Sequence, residues 1–227
     1  MIKKNYKTEK YETRDEWLKA RGFGGSSACA ILGKDKYISV IDVYNNYIFG
    51  KEIKDGKPNV SQQYGIDNEP LIRKMFMFDF TEWEVREPDG YEMFRRKDKP
   101  FMTATIDGQA TNKETKEKIV IEIKTHDWKS GDENEWNNTI PFKYFVQCCH
   151  YLSVLNDFDG AVLVAKIRFF DYKNNKRVVS KQEIRYYWLW KSDQSVQQAI
   201  ENIEKAETNF YENHIKPKIP PKSIISF

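Results

Sequence analysis

The chain has 227 residues, of which 40% are hydrophobic, 15% aromatic and 31% charged, with a net charge of +3. These proportions describe a globular chain long enough to bury a core, and exclude a disordered or fibrous one. The charge is too small to announce a nucleic-acid partner by itself, and no apolar run approaches the roughly 18–20 residues that cross a bilayer.

An apolar stretch does not follow the first lysines, so no secretion signal is expected and a cytoplasmic protein without membrane contact is. Cys29, Cys148 and Cys149 form neither a disulfide framework nor a CxxC pair, and His126, His150 and His214 share no zinc-like spacing. Buried reduced thiols are expected, not structural zinc or an iron–sulfur cluster. With no repeat and no linker, a single domain over residues 1–227 is expected, helical over about 13–80 and sheet-centred over about 81–214.

Thr13–Ala20 reads as a short helix capped by Thr13. A glycine-rich turn, Arg21-Gly-Phe-Gly-Gly-Ser-Ser27, leads into a second helix ended by Gly33. Ser39–Phe49 places Val40, Val43, Tyr44 and Tyr47 on one helical face, and a polar loop follows from Lys51 to Asn59. The helix expected over Ser61–Phe78 carries Glu69 followed by Pro70, a pair that implies a kink or a helix start there. Thr81–Val85 and Tyr91–Arg95 alternate like strands. Phe101–Asp107 and Ile119–Thr125 read as a hairpin joined by a polar connection from Gly108 to Lys118. Thr139–Leu155 is helical with Pro141 in its first turn, Gly160–Phe170 is an apolar strand, DYKNNK a turn, and QEIRYYWLW the last strand. The final helix, Asp193 to about His214, puts Val196, Ile200, Ile203, Ala206 and Phe210 on one face. The order predicts an α/β fold with a mixed central sheet flanked by helices. Two basic clusters, Lys166–Arg185 and Arg95, Arg96, Lys97 and Lys99, are candidates for phosphate contact or simply solvated faces.

The pattern that carries chemistry is Asp107, a connection, then Glu122-Ile-Lys124. Phosphodiester hydrolysis needs an activated water, charge relief at the phosphoryl group and help for the leaving oxygen, which carboxylate-held divalent cations supply. Mg²⁺ takes a few hard oxygens and keeps the rest of its shell for water and substrate. Alternation along a strand puts Glu122 and Lys124 on one face and Ile121 and Ile123 on the other, leaving the Ile123 carbonyl as a further oxygen ligand. Lys124 is placed to orient or deprotonate the water, or to stabilise developing charge. The pattern resembles the signature of the PD-(D/E)xK, restriction-endonuclease-like nucleases.

The stretches RGFGGSSACAILGKDKYIS, YGIDNEPLIRKMF, MTATIDG, IVIEIKT and IPFKYFVQCCHYL occur in an order that resembles the lambda-type phage exonucleases, the YqaJ-like viral recombinase nucleases, over about Trp17–Leu163. The resemblance implies that Glu69 joins Asp107, Glu122 and the Ile123 carbonyl as metal ligand, with Gln147 and Tyr151 at the same place. It implies a pocket for a terminal 5′-phosphate at Arg21, Ser26 and the adjoining Ser27, with Thr105. A glycine-rich turn opening a helix offers N–H groups to an anion, and arginine grips phosphate bidentately. Two Mg²⁺ ions, replaceable by Mn²⁺, are implied. So is 5′→3′ degradation of one strand of linear double-stranded DNA, leaving 3′ single-stranded tails for phage recombination in a bacterial host. A ring-shaped homotrimer and a single-strand annealing partner are implied as well. The chain departs from the family pattern at Ile106, where proline is usual, and at Cys149, where a second glutamine is common. The alternatives are another DNA endonuclease or repair nuclease of the superfamily, and a non-catalytic DNA-end-binding module on the same scaffold. Trp128 and Trp136 are candidates for base stacking or for packing.

Overall fold

The computed structural model describes residues 3–50, 58–137, 139–174 and 176–222. Most of the predicted loop at Lys51–Asn59 lies outside them.

The chain opens with a strand, β1 (Tyr6–Tyr11), that its polar sequence conceals. Helix α1 (Arg14–Ala20) is capped as expected: Thr13 Oγ1 accepts the Glu16 N–H while Glu16 accepts that of Thr13. Helix α2 (Gly25–Ile31) begins inside the glycine run and ends at Gly33, whose φ of +69° suits a residue without Cβ. Helix α3 (Val40–Ile48) follows the Ser39 cap, and α4 (Val60–Asp79) runs through Pro70. The helix thus starts well before the proline, not at it.

Strands β2 (Trp83–Arg86), β3 (Tyr91–Arg96) and β4 (Thr103–Ala104) come next, then β5 (Gly108–Asn112) and β6 (Lys118–Asp127). The predicted strand Phe101–Asp107 is thereby corrected. Only Thr103 and Ala104 are strand, and they pair with β3, whereas the partner of β6 lies in the supposed connection. Gly-Gln-Ala-Thr-Asn reads as loop because it opens on a glycine and its other side chains are small or polar. The short α5 (Glu133–Trp136) precedes α6 (Phe142–Val154), then β7 (Gly160–Lys173), β8 (Lys176–Trp190) and α7 (Gln194–Phe210), which closes in a π-turn at Tyr211–Ile215. The β7–β8 hairpin extends further than its apolar part suggested.

Among the described residues the strands form two sheets, ordered β1-β3-β4 and β2-β5-β6-β7-β8, in which β6 and β7 are parallel and the other pairs antiparallel. The larger sheet is buried on both faces. Ile119, Ile121, Ile123, Val162 and Val164 pack with Ile72 and Phe76 of α4. Val120, Leu163, Ala165 and Ile167 pack with α2, α6 and α7 on the opposite side. That is the mixed α/β architecture expected. No helix among the described residues is long and apolar enough to cross a membrane, and the three cysteines are free and buried.

Candidate active site

Strand β6 carries the acid and the amine at the centre of the larger sheet. Lys124 Nζ donates to Glu122 Oε1, as alternation along the strand requires. Glu122 is 1% exposed, and the same oxygen accepts from Gln147 Nε2 of α6 at 2.6 Å. Gln147 also donates to the Tyr151 hydroxyl at 2.7 Å, one helical turn on. The other carboxylate oxygen, Glu122 Oε2, is buried with no hydrogen-bond partner. Burial first, and then the charge of Asp107, push the Glu122 carboxyl up to about 8. Burial works against the charge of Lys124, but the carboxylates of Glu122 and Asp107 outweigh it and hold the ammonium proton more tightly than usual. Burial raises the Tyr151 hydroxyl well above its ordinary value, with Glu122 adding to the effect.

Asp107 sits in the turn before β5, where its Oδ2 accepts the Ile123 N–H at 2.7 Å. Strand β5 begins only at Gly108, opposite Ile121, so the edge of β6 beyond that point has no strand partner on this side. N–H and C=O of an extended residue leave the strand toward the same side. The Ile123 carbonyl therefore faces the same open edge as Asp107.

Glu69 reaches the site from α4 through Arg73, one turn further on. The Arg73 side chain is buried, with Nη2 2.5 Å from Glu69 Oε1 and Nε donating to the Asp107 carbonyl at 2.9 Å. Burial and then the Asp107 charge raise the Glu69 carboxyl, with Arg73 opposing. Among the described residues no three His, Cys, Asp or Glu side chains stand together as a metal-binding set. Glu69 is turned to Arg73, Asp107 to a backbone N–H, and Glu122 to Lys124 and Gln147. Arg73 engages only Oε1 of Glu69, and no hydrogen bond among the described residues takes up Oε2.

Helix α2 packs its first turn against this group, since a Cβ on Gly25 would lie 2.7 Å from Gln147 Cγ and 2.9 Å from Tyr151 Cε1. Gly25→Ala is therefore expected to push both side chains away, at about 1–3 kcal/mol in stability. It should also reduce turnover more than a surface mutation of equal stability cost; paired melting and activity assays check this.

Arg21 precedes α2. Its guanidinium lies 4.6 Å from the Trp17 ring centroid and has no ion pair among the described residues. Burial lowers its pKa. A cavity of about 400 Å³ is lined by Arg21, Ser26 and Ser27, but not by Thr105. The Ser27 hydroxyl is committed to helix capping, accepting the Gly24 N–H at 3.1 Å and donating to its carbonyl at 2.8 Å; Ser26 is exposed.

Sequence reasoning passed over Arg73, although its i,i+4 spacing from Glu69 was the available signal. It also passed over Thr103, whose Oγ1 accepts the Gly22 N–H at 3.2 Å and donates to the Phe23 carbonyl at 3.3 Å, pinning the Arg21 turn. The basic cluster at Arg95–Lys99 is in large part structural: Arg95 pairs with Glu9, Arg96 with Asp98 and Glu204, and Lys99 with Glu204. On the β7–β8 hairpin, Arg168 and Arg177 pair with Asp127, and Lys181 and Arg185 with Glu183. Trp136 is a core side chain, while Trp128 packs at a tilt against Phe169 with 5.0 Å between centroids.

No curated protein sequence matches the chain. A solved structure does: the crystal structure of LHK-Exo in complex with dAMP has a TM-score of 0.58 at 15% identity, covering 90% of this chain and 95% of that one. The YqaJ-like viral recombinase domain matches residues 16–157. That match spans most of the chain and includes every candidate site residue, so this protein, with its PD-(D/E)xK nuclease fold, belongs to the YqaJ-like viral recombinase family.

Proposed function

We propose that this chain is a divalent-metal-dependent exonuclease that degrades one strand of linear double-stranded DNA in the 5′→3′ direction and leaves 3′ single-stranded tails. The observation that carries the reading is the meeting of Asp107, Glu122 and Lys124 on β6 and its open edge, with Arg21, which has no ion pair among the described residues, in the turn before α2. The donor set suits Mg²⁺, with Mn²⁺ as substitute: all ligands are hard oxygens, and Glu122 Oε2 is a buried acceptor without a donor. Asp107, Glu122, the Ile123 carbonyl and Glu69 would hold it, as one of a pair of ions. A bound dication supplies charge relief at the phosphoryl group and a more acidic water.

The residues do the rest. Lys124, beside Glu122, is placed to orient or help deprotonate the attacking water, or to stabilise charge developing at the phosphate. Gln147 fixes the Glu122 carboxylate and is itself held by Tyr151. Arg21, with Ser26, takes the terminal 5′-phosphate and sets the register of the strand, and Thr105 lies in the turn leading to Asp107. A homotrimeric ring, a single-strand annealing partner and action on DNA ends in the cytoplasm of a bacterial host complete the reading, which the family supports.

The test is digestion of linear duplexes labelled separately at each end, with and without a 5′-phosphate, alongside closed circular DNA. Mg²⁺-dependent release from the 5′ label, faster with the 5′-phosphate, is expected, and Arg21→Gln should erase most of that preference, a loss of about 2 kcal/mol for a charge-assisted contact. Cutting of the circle would make the protein an endonuclease. Binding of ends without release would make it a non-catalytic module.

A further inference from the structure

Beyond Lys124 the same face of β6 continues to His126, and the surface there opens into a cavity of about 380 Å³ whose lining includes Lys36, Tyr37, His126, Trp136, Lys143 and Tyr144. Its floor is built. His126 Nε2 lies 2.6 Å from Asp132, and the imidazole packs on Trp136 at 5.0 Å. Its carboxylates are already engaged: Asp132 by His126, Glu135 by Lys36, and Asp35 by the N–H groups of Tyr37 and Ile38. The ammonium groups of Lys34, Lys129 and Lys143 have no carboxylate partner among the described residues, leaving free positive charge at the rim. Two aromatic rings are held out to solvent at the mouth, Tyr37 at 83% exposure and Phe142 at 54%. Lys143 Nζ stands 5.6 Å from the Tyr37 centroid and 4.8 Å from that of Tyr144, while Lys124 Nζ stands 5.5 Å from the same Tyr144 ring.

Helix α6 orders these features along one line. Tyr151 and Gln147 lie against the first turn of α2 beside Arg21, Gln147 touches Glu122, and one turn earlier Tyr144 stands between Lys124 and Lys143. Tyr144 and Tyr151 are about 10 Å apart along the axis. Tyr37 lines this cavity and its neighbour Ile38 lines the Arg21 pocket, so the two cavities adjoin along the chain. We infer that this cavity is a nucleotide subsite for the DNA strand being cut, taking a base against Tyr37 and Phe142 and the adjoining phosphate at Lys143. An exposed ring beside a free ammonium is the combination that holds single-stranded nucleic acid, because every base has a face to stack and every nucleotide a phosphate. This subsite rests on the proposed nuclease reading and adds to it a second hold on the strand.

The experiment uses the full chain in an Asp107→Asn background, so that DNA binds without being consumed. Duplexes carry 2-aminopurine at the second or third nucleotide of the 5′-phosphorylated strand. Fluorescence should be quenched on binding. Tyr37→Ala should abolish the quench and raise Kd about tenfold, and Lys143→Gln should lower the slope of log Kd against log salt by about one. An unchanged quench and Kd in Tyr37→Ala, or an unchanged salt slope in Lys143→Gln, overturns the subsite alone. A parent that binds no DNA ends overturns the nuclease reading together with it. Both side chains stand at the surface, so unfolding does not confound the result, and a matched melting temperature checks this.

Discussion

Asp107→Ala is expected to abolish metal-dependent release of nucleotides from linear DNA, by about a thousandfold or more, while costing the fold only about 1 kcal/mol. The two effects separate because the residue's structural and chemical parts are so unequal. Structurally, Asp107 contributes one hydrogen bond, from the Ile123 N–H at 2.7 Å, at a partly exposed strand edge, and such a bond is worth about 0.5–1.5 kcal/mol net. Chemically, it is the carboxylate on the open edge, facing the same side as the Ile123 carbonyl, and its charge adds to the rise in pKa of both Glu122 and Lys124. Removing a ligand from an oxygen-bound dication forfeits several kcal/mol of transition-state stabilisation, and each 1.36 kcal/mol is a factor of ten in rate. The measurement is nucleotide release at saturating Mg²⁺, with thermal unfolding of both proteins alongside. Activity within tenfold of wild type, in a variant that melts normally, would place the metal elsewhere and remove the basis of the proposed function.

The parts of the site that were legible in the sequence are those that a strand's geometry dictates. Glu122 and Lys124, two apart within an apolar run, had to share a face, and Ile121 and Ile123 had to face the core; both follow from alternation alone. The partner strand of β6 was not legible. Gly108–Asn112 opens on a glycine and carries small or polar side chains, so the segment reads as loop although Ala110 packs with Ile72 and Phe76. Strand β1 was hidden for a related reason: at the edge of the smaller sheet it buries Tyr6 and leaves most of its other side chains polar. The amphipathic face of α7 was read correctly at Val196, Ile203 and Phe210, yet Glu207 lies among them, and no periodicity rule announces a buried acid. Its partner, His150, is equally silent in sequence, since the two are far apart in the chain and meet only in the folded core.

That pair carries the second large effect. Glu207 and His150 are both fully buried; Nδ1 of His150 lies 2.8 Å from Glu207 Oε1 and Nε2 lies 2.9 Å from the Thr103 carbonyl. The pair joins α7 to the helix that carries Gln147 and Tyr151, and through Thr103 to the Arg21 turn. Glu207→Ala is expected to destabilise the protein by about 3–5 kcal/mol, because it leaves an imidazole nitrogen in the core without its partner. That is a large share of the roughly 5–15 kcal/mol that holds a domain folded.

The pH dependence distinguishes a proton-holding pair from ordinary packing. Burial lowers the His150 pKa, but the Glu207 carboxylate outweighs it, with Arg96 opposing, and the net value lies above 6.5. Burial raises Glu207, with His150 opposing and Glu204 adding to the rise. The folded state therefore binds more protons than the unfolded one, and the stability this pair contributes falls as pH rises above 6.5. In Glu207→Gln the charge that outweighs burial is gone, so the His150 pKa falls from its wild-type value and the fold no longer holds the extra proton so tightly. The difference between urea midpoints of wild type and Glu207→Gln should accordingly change with pH across neutrality, in favour of the variant on the alkaline side. Because Glu69 and Glu122 titrate in both proteins, they cancel in that difference. Parallel midpoint curves would mean that the buried pair holds no extra proton in the folded state.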